Sequence, residues 1–352
     1  MIRLLAQGRN WLRTPLTLLP RAVAASMLLL AAMAGAARAQ AAPDTTPDIE
    51  FIGLRRWTVQ MIRDTMAVKA PGAPLGQCAV VLEAIGFPSA SSAEFIRDGH
   101  RHIVVTLVEP ADSARVRLRV ERPDSSSDRP GWREVDSLFR ARNPAFLTAV
   151  SLVDVHRAGN EAAERAALRP ARGDSADVRR VWAFLDAHRS TRDLEEALWV
   201  LATDGNSANL AVAVALLGNF AEHEPAWWAL MDAQRSSRGA VAATAIQVLR
   251  SMTQRHVPTV DWRPAAASIR ALLAGTNVFA FAQTLDVLRT THVSPGLAVE
   301  LLGNGNGDLV LAHLGAAEPF LRETTRGFLV QVSGQDLGDD AAAWANWLAG
   351  LR

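Results

Sequence analysis

Apolar positions in the second half of the chain recur in one helical phrase written four times. Aligned on a leucine, the copies read LAVAVALL (Leu210–Leu217), AATAIQVL (Ala242–Leu249), FAQTLDVL (Phe281–Leu288) and RETTRGFL (Arg322–Leu329). The anchor leucines Leu217, Leu249, Leu288 and Leu329 stand 32, 39 and 41 residues apart. Four residues before each is a small side chain, Ala213, Ala245, Thr284 or Thr325, which lets a neighbouring helix approach closely one turn earlier. A period of this size marks stacked helical pairs, in which no unit buries its apolar face alone. The pattern predicts helices over about 176–188, 193–203, 207–219, 225–235, 239–253, 264–274, 278–290, 295–303, 308–314, 317–332 and 340–350. Turn residues separate them, among them Asp204-Gly205-Asn206, Gly275-Thr276-Asn277 and Ser294-Pro295. Ser190 and Asp193 have the spacing of a capping box.

Nearer the N-terminus the pattern changes to strand, helix, helix, strand, strand. Ile49 to Ile52 reads as a short strand ended by Gly53, and Thr58 caps a helix with Val59, Ile62 and Met66 on its apolar face. Pro71 to Pro74 breaks that helix, and a second runs from about Gly76 to Ile85. Ser89–Arg97 and His100–Val108 are strands joined by Asp98-Gly99, a pair suited to a type I′ turn, where both central residues need positive φ. The second of these strands is apolar on both faces and therefore expected at the sheet centre. Arg115 to Glu121 alternates charge with Val and Leu, which predicts a further half-exposed strand with its arginines towards solvent. Residues 124–131 read as a linker, Trp132–Ala141 and Pro144–His156 as bridging helices, and 159–174 as a mobile connection or a poorly formed helix.

The order β-α-α-β-β, with Gly53 after the first strand, Pro74-Leu75 before the second helix, Gly86-Phe87 after it and Val-Thr-Leu-Val-Glu-Pro at 105–110, resembles a POTRA domain over about residues 48–110. That resemblance implies a place in a cell envelope and partner binding by addition of a strand to the sheet edge. The helical half, about 175–352, resembles HEAT-like repeats. Its ending, Gly334-Gln335-Asp336 with Gly338 and Asp340 followed by Trp344 and Trp347, looks like the segment that closes many such bacterial arrays, and it implies that the two tryptophans plug a terminal cap. The expected fold class is α+β, a small β-α-α-β-β module followed by an all-α solenoid of HEAT-like repeats. The expected divisions are a signal peptide at 1–39, the α/β domain at 48–122, linker and bridging helices at 123–174 and the solenoid at 175–352.

The first forty residues read as an address. Arg3, Arg9, Arg13 and Arg21 precede the apolar run Ala22–Ala37, and Ala37-Arg38-Ala39 supplies a signal-peptidase pattern. The run is shorter than the roughly 20 residues needed to span a bilayer, although retention as an N-terminal anchor is the alternative. Cleavage after Ala39 removes five of the 37 basic residues and none of the 36 acidic ones, leaving an excess of acid. That excess argues against nucleic acid as a partner. Cys78 is the only cysteine, so the chain has no internal disulfide, and its apolar surroundings in sequence favour a buried, inert thiol over a reactive one.

Motifs with a chemical mechanism are sparse. His100-x-His102 places two imidazoles on one strand face but offers no third ligand nearby. His223-Glu224 lacks a second histidine one turn on, where Trp227 stands. The Gly303–Asp308 loop has neither the preceding strand nor the Lys-Ser/Thr of a phosphate loop. No metal or cofactor is expected. Trp227-Trp228 is the candidate binding pair: neighbouring rings diverge by about 100° around a helix, and tryptophan is favoured at contact hot spots. The alternative puts one ring in the core and wedges the other against the next repeat. The sequence therefore points to an exported, non-enzymatic protein-binding or scaffold protein of the bacterial cell envelope or periplasm. Its expected partner is a protein or an extended peptide, with no membrane span once the signal is cleaved. The alternative is an envelope enzyme with a scattered active site.

Overall fold

The computed structural model describes residues 2–3, 48–73, 78–97, 100–124, 129–169, 174–255, 258–303 and 305–350. Apart from Ile2 and Arg3, the expected signal peptide lies outside the described residues, as do the Asp98-Gly99 turn and the Cys78 side chain. The architecture is α+β: mostly helical, with a small sheet near the N-terminus.

Three strands form the body of the sheet: β1 (Asp48–Ile52), β2 (Ser89–Arg97) and β3 (His100–Val108). β3 lies in the middle, antiparallel to β2 and parallel to β1. Its doubly apolar composition explains the position, because both of its faces are covered. Ile103, Val105 and Leu107 pack with Ile62 and Met66 of α1 (Val59–Lys69), Leu82 of α2 (Cys78–Ala84) and Phe87. Val104 and Val108, with Ile52 and Phe95, face the other way into the core of the helical half. At the outer edge of β2, Ile2 and Arg3 pair with Phe95 and Glu94.

The helices follow as α3 (Arg133–Ala141), α4 (Asn143–Ser151), α5 (Val153–Arg157), α6 (Glu161–Leu168), α7 (Ser175–Ala187), α8 (Thr191–Thr203), α9 (Ser207–Leu217), α10 (Glu224–Ala233), α11 (Gly239–Thr253), α12 (Ala266–Leu273), α13 (Phe281–Thr290), α14 (Pro295–Leu302), α15 (Gly307–Leu314), α16 (Pro319–Ser333) and α17 (Ala341–Ala349). α9, α11, α13 and α16 pack in succession as one layer, while α8, α10, α12 and α14 form a second beside it. The anchor leucines lie in the first layer. Leu217, Leu249, Leu288 and Leu329 are wholly buried, and so are Ala213, Ala245, Thr284 and Thr325 one turn before them. The caps are local: Ser190 accepts from the Asp193 N–H at 3.3 Å while the Asp193 carboxylate accepts from the Ser190 N–H at 2.8 Å. At the far end Trp344 is buried edge-on to Trp347 and donates to the Gly338 carbonyl at 2.9 Å.

The first layer is not left open. α3 packs on α9 and α4 on α11, so every residue of α9 from Ala208 to Leu217 is buried. The sheet covers the next stretch. Val108 sits where a Cβ on Gly275 would have to go, 2.4 Å away, and Gly275 holds φ +101°, so glycine is required there twice over. Within the segment at 159–174, the described residues Glu161–Leu168 form α6, with Asn160 capping it through the Ala162 and Ala163 N–H groups.

One expected element is absent. Arg115 to Glu121 joins no sheet; it is an extended strap along the turns of the helical half. Arg115 donates to the Gly305 carbonyl at 3.4 Å, the Arg117 N–H to Thr276 at 2.9 Å and the Arg119 N–H to the Arg235 carbonyl at 2.9 Å. Glu121 then accepts from Ser236 and Ser237, and Arg129 pairs with Glu196 at 3.0 Å and Asp204 at 3.3 Å. The strap thus descends the array against its order. The expected orientation is inverted at its middle, where Arg119 turns inward while Leu118 and Val120 stand in solvent. The physical reason is that the turns present free carbonyls and carboxylates, which an arginine satisfies and a leucine cannot.

Candidate functional site

On the edge of the array opposite the strap, the C-terminal ends of four helices meet around a cavity of about 450 Å³. Asp154 comes from the first turn of the short α5, Arg157 and Ala158 from its end, Arg189 from just beyond α7, Asn219 from beyond α9, and Gln254 and Arg255 from beyond α11. Helix C-termini carry partial negative charge and unpaired carbonyls, which explains why arginine collects there. Arg255 donates to the Gly218 carbonyl at 2.9 Å, and the Asn219 amide donates to the Leu185 and His188 carbonyls, both at 2.7 Å.

These caps leave donors over. A guanidinium has five N–H groups. Among the described residues, Arg255 also pairs with Asp154 at 2.8 Å and reaches Ser251 at 2.9 Å. Arg157 meets Asp186 at 3.4 Å and the Asn219 side-chain oxygen, and Arg189 meets Asp186. Arg189 therefore keeps most of its N–H groups unengaged, and Arg157 more than half.

The electrostatics are unbalanced. Arg157 is held below the ordinary arginine value, first by burial and then by the like charges of Arg189 and Arg255, against which Asp186 compensates only in part. Burial pushes the Asp186 carboxyl up, but hydrogen bonds from Arg189 and His156 and the charges of Arg189 and Arg157 outweigh it and hold it below the usual carboxylate range. His156 stacks on buried Trp182, ring centroids 4.4 Å apart, with one nitrogen 3.1 Å from Glu164 and the other 3.1 Å from Asp186. A narrow crevice below the cavity adds Val150, Val153 and Val248 as an apolar floor. The arrangement can hold an anion by directed N–H groups.

The structure separates the residues singled out in the sequence from this pocket. Trp227 is wholly buried, edge-on to Trp262 at 6.4 Å, with its ring N–H on the Ala221 carbonyl at 2.8 Å. It is a core side chain with no surface for a partner, which corrects its selection as half of a binding pair. Trp228 is half-buried and donates to the Asp261 carbonyl at 2.8 Å, so the core-and-wedge alternative describes the pair. Among the described residues the exposed indole is Trp199, beneath the Arg129 guanidinium at 4.9 Å. His102 stands between Asp48 and Glu50, 3.2 Å from each on opposite ring nitrogens, so these carboxylates do not converge on one point with it. Among the described residues no group of three His, Cys, Asp or Glu side chains could hold a metal ion, and no single helix is long and apolar enough to cross a membrane. Sequence reasoning missed the arginine pocket because its members are spread from residue 154 to 255 and share no motif. The one local signal is that Arg157, Arg189 and Arg255 each stand at a helix end or within two residues of it.

No family model, curated protein or solved structure matches this chain.

Proposed function

We propose that this is an exported, non-catalytic binding or scaffold protein of the cell envelope, built as a HEAT-like α-solenoid with a POTRA-like module packed against it, and that its partner is a protein or extended peptide. The observation that carries the reading is the pocket at the helix C-termini, where three guanidinium groups and the Gln254 amide line an open cavity. Such groups recognise; nucleophile–base pairing is a different arrangement. Two further observations support it. The repeat anchors are buried in one layer, as stacked helical pairs require. The outer edge of β2 accepts Ile2 and Arg3 as an added strand, so loss of residues 1–39 on export would leave that edge free for a partner strand.

The test is fractionation followed by cross-linking. A chain beginning at Gln40, recovered outside the cytoplasm and cross-linked to the same envelope protein from Arg189 or from the β2 edge, is the expected result. A chain that remains cytoplasmic, or one that turns over a substrate and loses that activity with a single polar substitution, would replace this reading with the enzyme.

A further inference from the structure

The charges around the cavity say what it is made to take. Three guanidinium groups, Arg157, Arg189 and Arg255, face two carboxylates, Asp154 and Asp186. The neighbouring His156 lies between Asp186 and Glu164, 3.1 Å from each. Glu164 is also met by the Arg179 guanidinium at 3.7 Å, so over the whole cluster the guanidinium groups outnumber the carboxylates by one. A single carboxylate restores neutrality. A phosphate dianion would overshoot it and would bring two charges against the Asp154 oxygens in the cavity wall. Geometry agrees, since a planar guanidinium fork matches the two oxygens of a carboxylate, and about 450 Å³ admits the residue that carries the group as well as the group itself. Gln254 adds an uncharged amide at the mouth, suited to a peptide bond next to the charge.

We propose that the pocket is a receptor for one carboxylate of a peptide, gripped by the unengaged N–H groups of Arg189 and Arg157 while Arg255 holds the wall through Asp154 and Gly218. The inference rests on the binding-protein reading above and deepens it by assigning the chemistry of the partner. Arg157 and Arg189 then bind the ligand, and Asp186 and Asn219 position them.

Titration calorimetry on the full mature chain tests this with four probes: N-acetyl-trialanine as the free acid, the same peptide as its C-terminal amide, N-acetyl-Ala-Glu-Ala amide, and inorganic phosphate. The free acid, the glutamyl peptide or both should bind with Kd of roughly millimolar, the range of a few charge-assisted hydrogen bonds, and the trialanine amide should not. Binding of the free acid alone assigns a chain terminus as the source, and binding of the glutamyl peptide assigns an acidic side chain. Arg189→Gln should weaken binding by about tenfold or more without lowering Tm, because that side chain is half exposed. Arg157→Gln should weaken it similarly, and its circular dichroism shows whether the fold is kept. Three results would overturn the proposal: no carboxylate probe bound at about 10 mM, phosphate bound in preference to every carboxylate, or affinity unchanged in the Arg189→Gln chain. The two readings fail separately. An envelope partner retained equally by wild type and Arg189→Gln removes the pocket and leaves the binding protein, whereas carboxylate binding in a chain that never leaves the cytoplasm does the reverse.

Discussion

Arg235 grips the backbone of Arg117 from 118 residues away, its Nε donating to the Arg117 carbonyl at 3.0 Å and its Nη2 donating to the same oxygen at 2.9 Å. The same side chain donates to Asp232 of α10 at 2.8 Å and to Ser268 of α12 at 3.1 Å, so it ties the strap to two helices at once. The chain that leaves the sheet is thereby held before it enters α3.

Arg235→Ala should free the strap. Removing a half-buried donor that serves the Arg117 and Leu118 carbonyls costs about 1–3 kcal/mol. Hydrogen exchange should rise at the Arg117 and Arg119 amides, which donate to Thr276 and the Arg235 carbonyl, while amides in α9 stay protected. Equal acceleration across the whole array would mean that the strap holds the fold globally instead of lying on it.

Leu249→Ala removes a wholly buried anchor from the middle of the first layer and should cost about 2–5 kcal/mol. α11 touches α4, α9, α10 and α13, so exchange should quicken in those helices before it does in α1 and α2, which pack on the far face of the sheet. Unchanged exchange over residues 210–290 would remove the repeat alignment.

What the sequence made legible was local. The strands at 89–97 and 100–108, the Thr58 and Ser190 caps and the long helices of the second half all follow from period, turn residues and capping chemistry, and they stand where those rules put them. The module's place on the array was not legible, because it depends on contacts such as Val108 against Gly275, far apart in sequence. The strap was misread for a related reason. Alternation fixes which residues share a face but not which face is buried, and here the array turns reward charge. The pocket needed four helices to meet, which a single turn of sequence does not encode.

Glu109 closes the last strand, and its carboxylate accepts the backbone N–H groups of Arg55 at 2.6 Å, Arg56 at 2.8 Å and Trp57 at 2.8 Å. Burial pushes its carboxyl up, but these three donors outweigh burial and hold it below its ordinary value of 4.5. The folded state therefore favours the ionised form. Its contribution is fully present above the unfolded value and is lost as pH falls through the lower folded one. Glu109→Gln should cost about 1–3 kcal/mol at pH 7, since an amide has one acceptor oxygen and turns an N–H towards donors. Urea melts at pH 7 and pH 3 should show that deficit shrinking in acid, and a deficit independent of pH would deny the carboxylate this role.

His313 has the opposite problem. It is wholly enclosed in α15 beside Phe281, ring centroids 4.5 Å apart, and among the described residues neither ring nitrogen has a hydrogen-bond partner. Burial alone pushes it down from 6.5 to about 3. The folded state keeps the ring neutral while the unfolded chain takes up a proton below 6.5, so the unfolded state binds more protons between these values. Stability should then fall by about 1.4 kcal/mol per pH unit as pH drops from 6.5 towards 3. His313→Leu removes both the unpaired nitrogens and the titration. At pH 7 the exchange should be near neutral, because the lost ring contact is offset by the two polar atoms no longer buried. At pH 4.5 the leucine chain should be the more stable of the two by about 2–3 kcal/mol. Denaturant melts of both chains at the two pH values decide it, and parallel loss of stability in wild type and variant would show that His313 takes no part in the acid response.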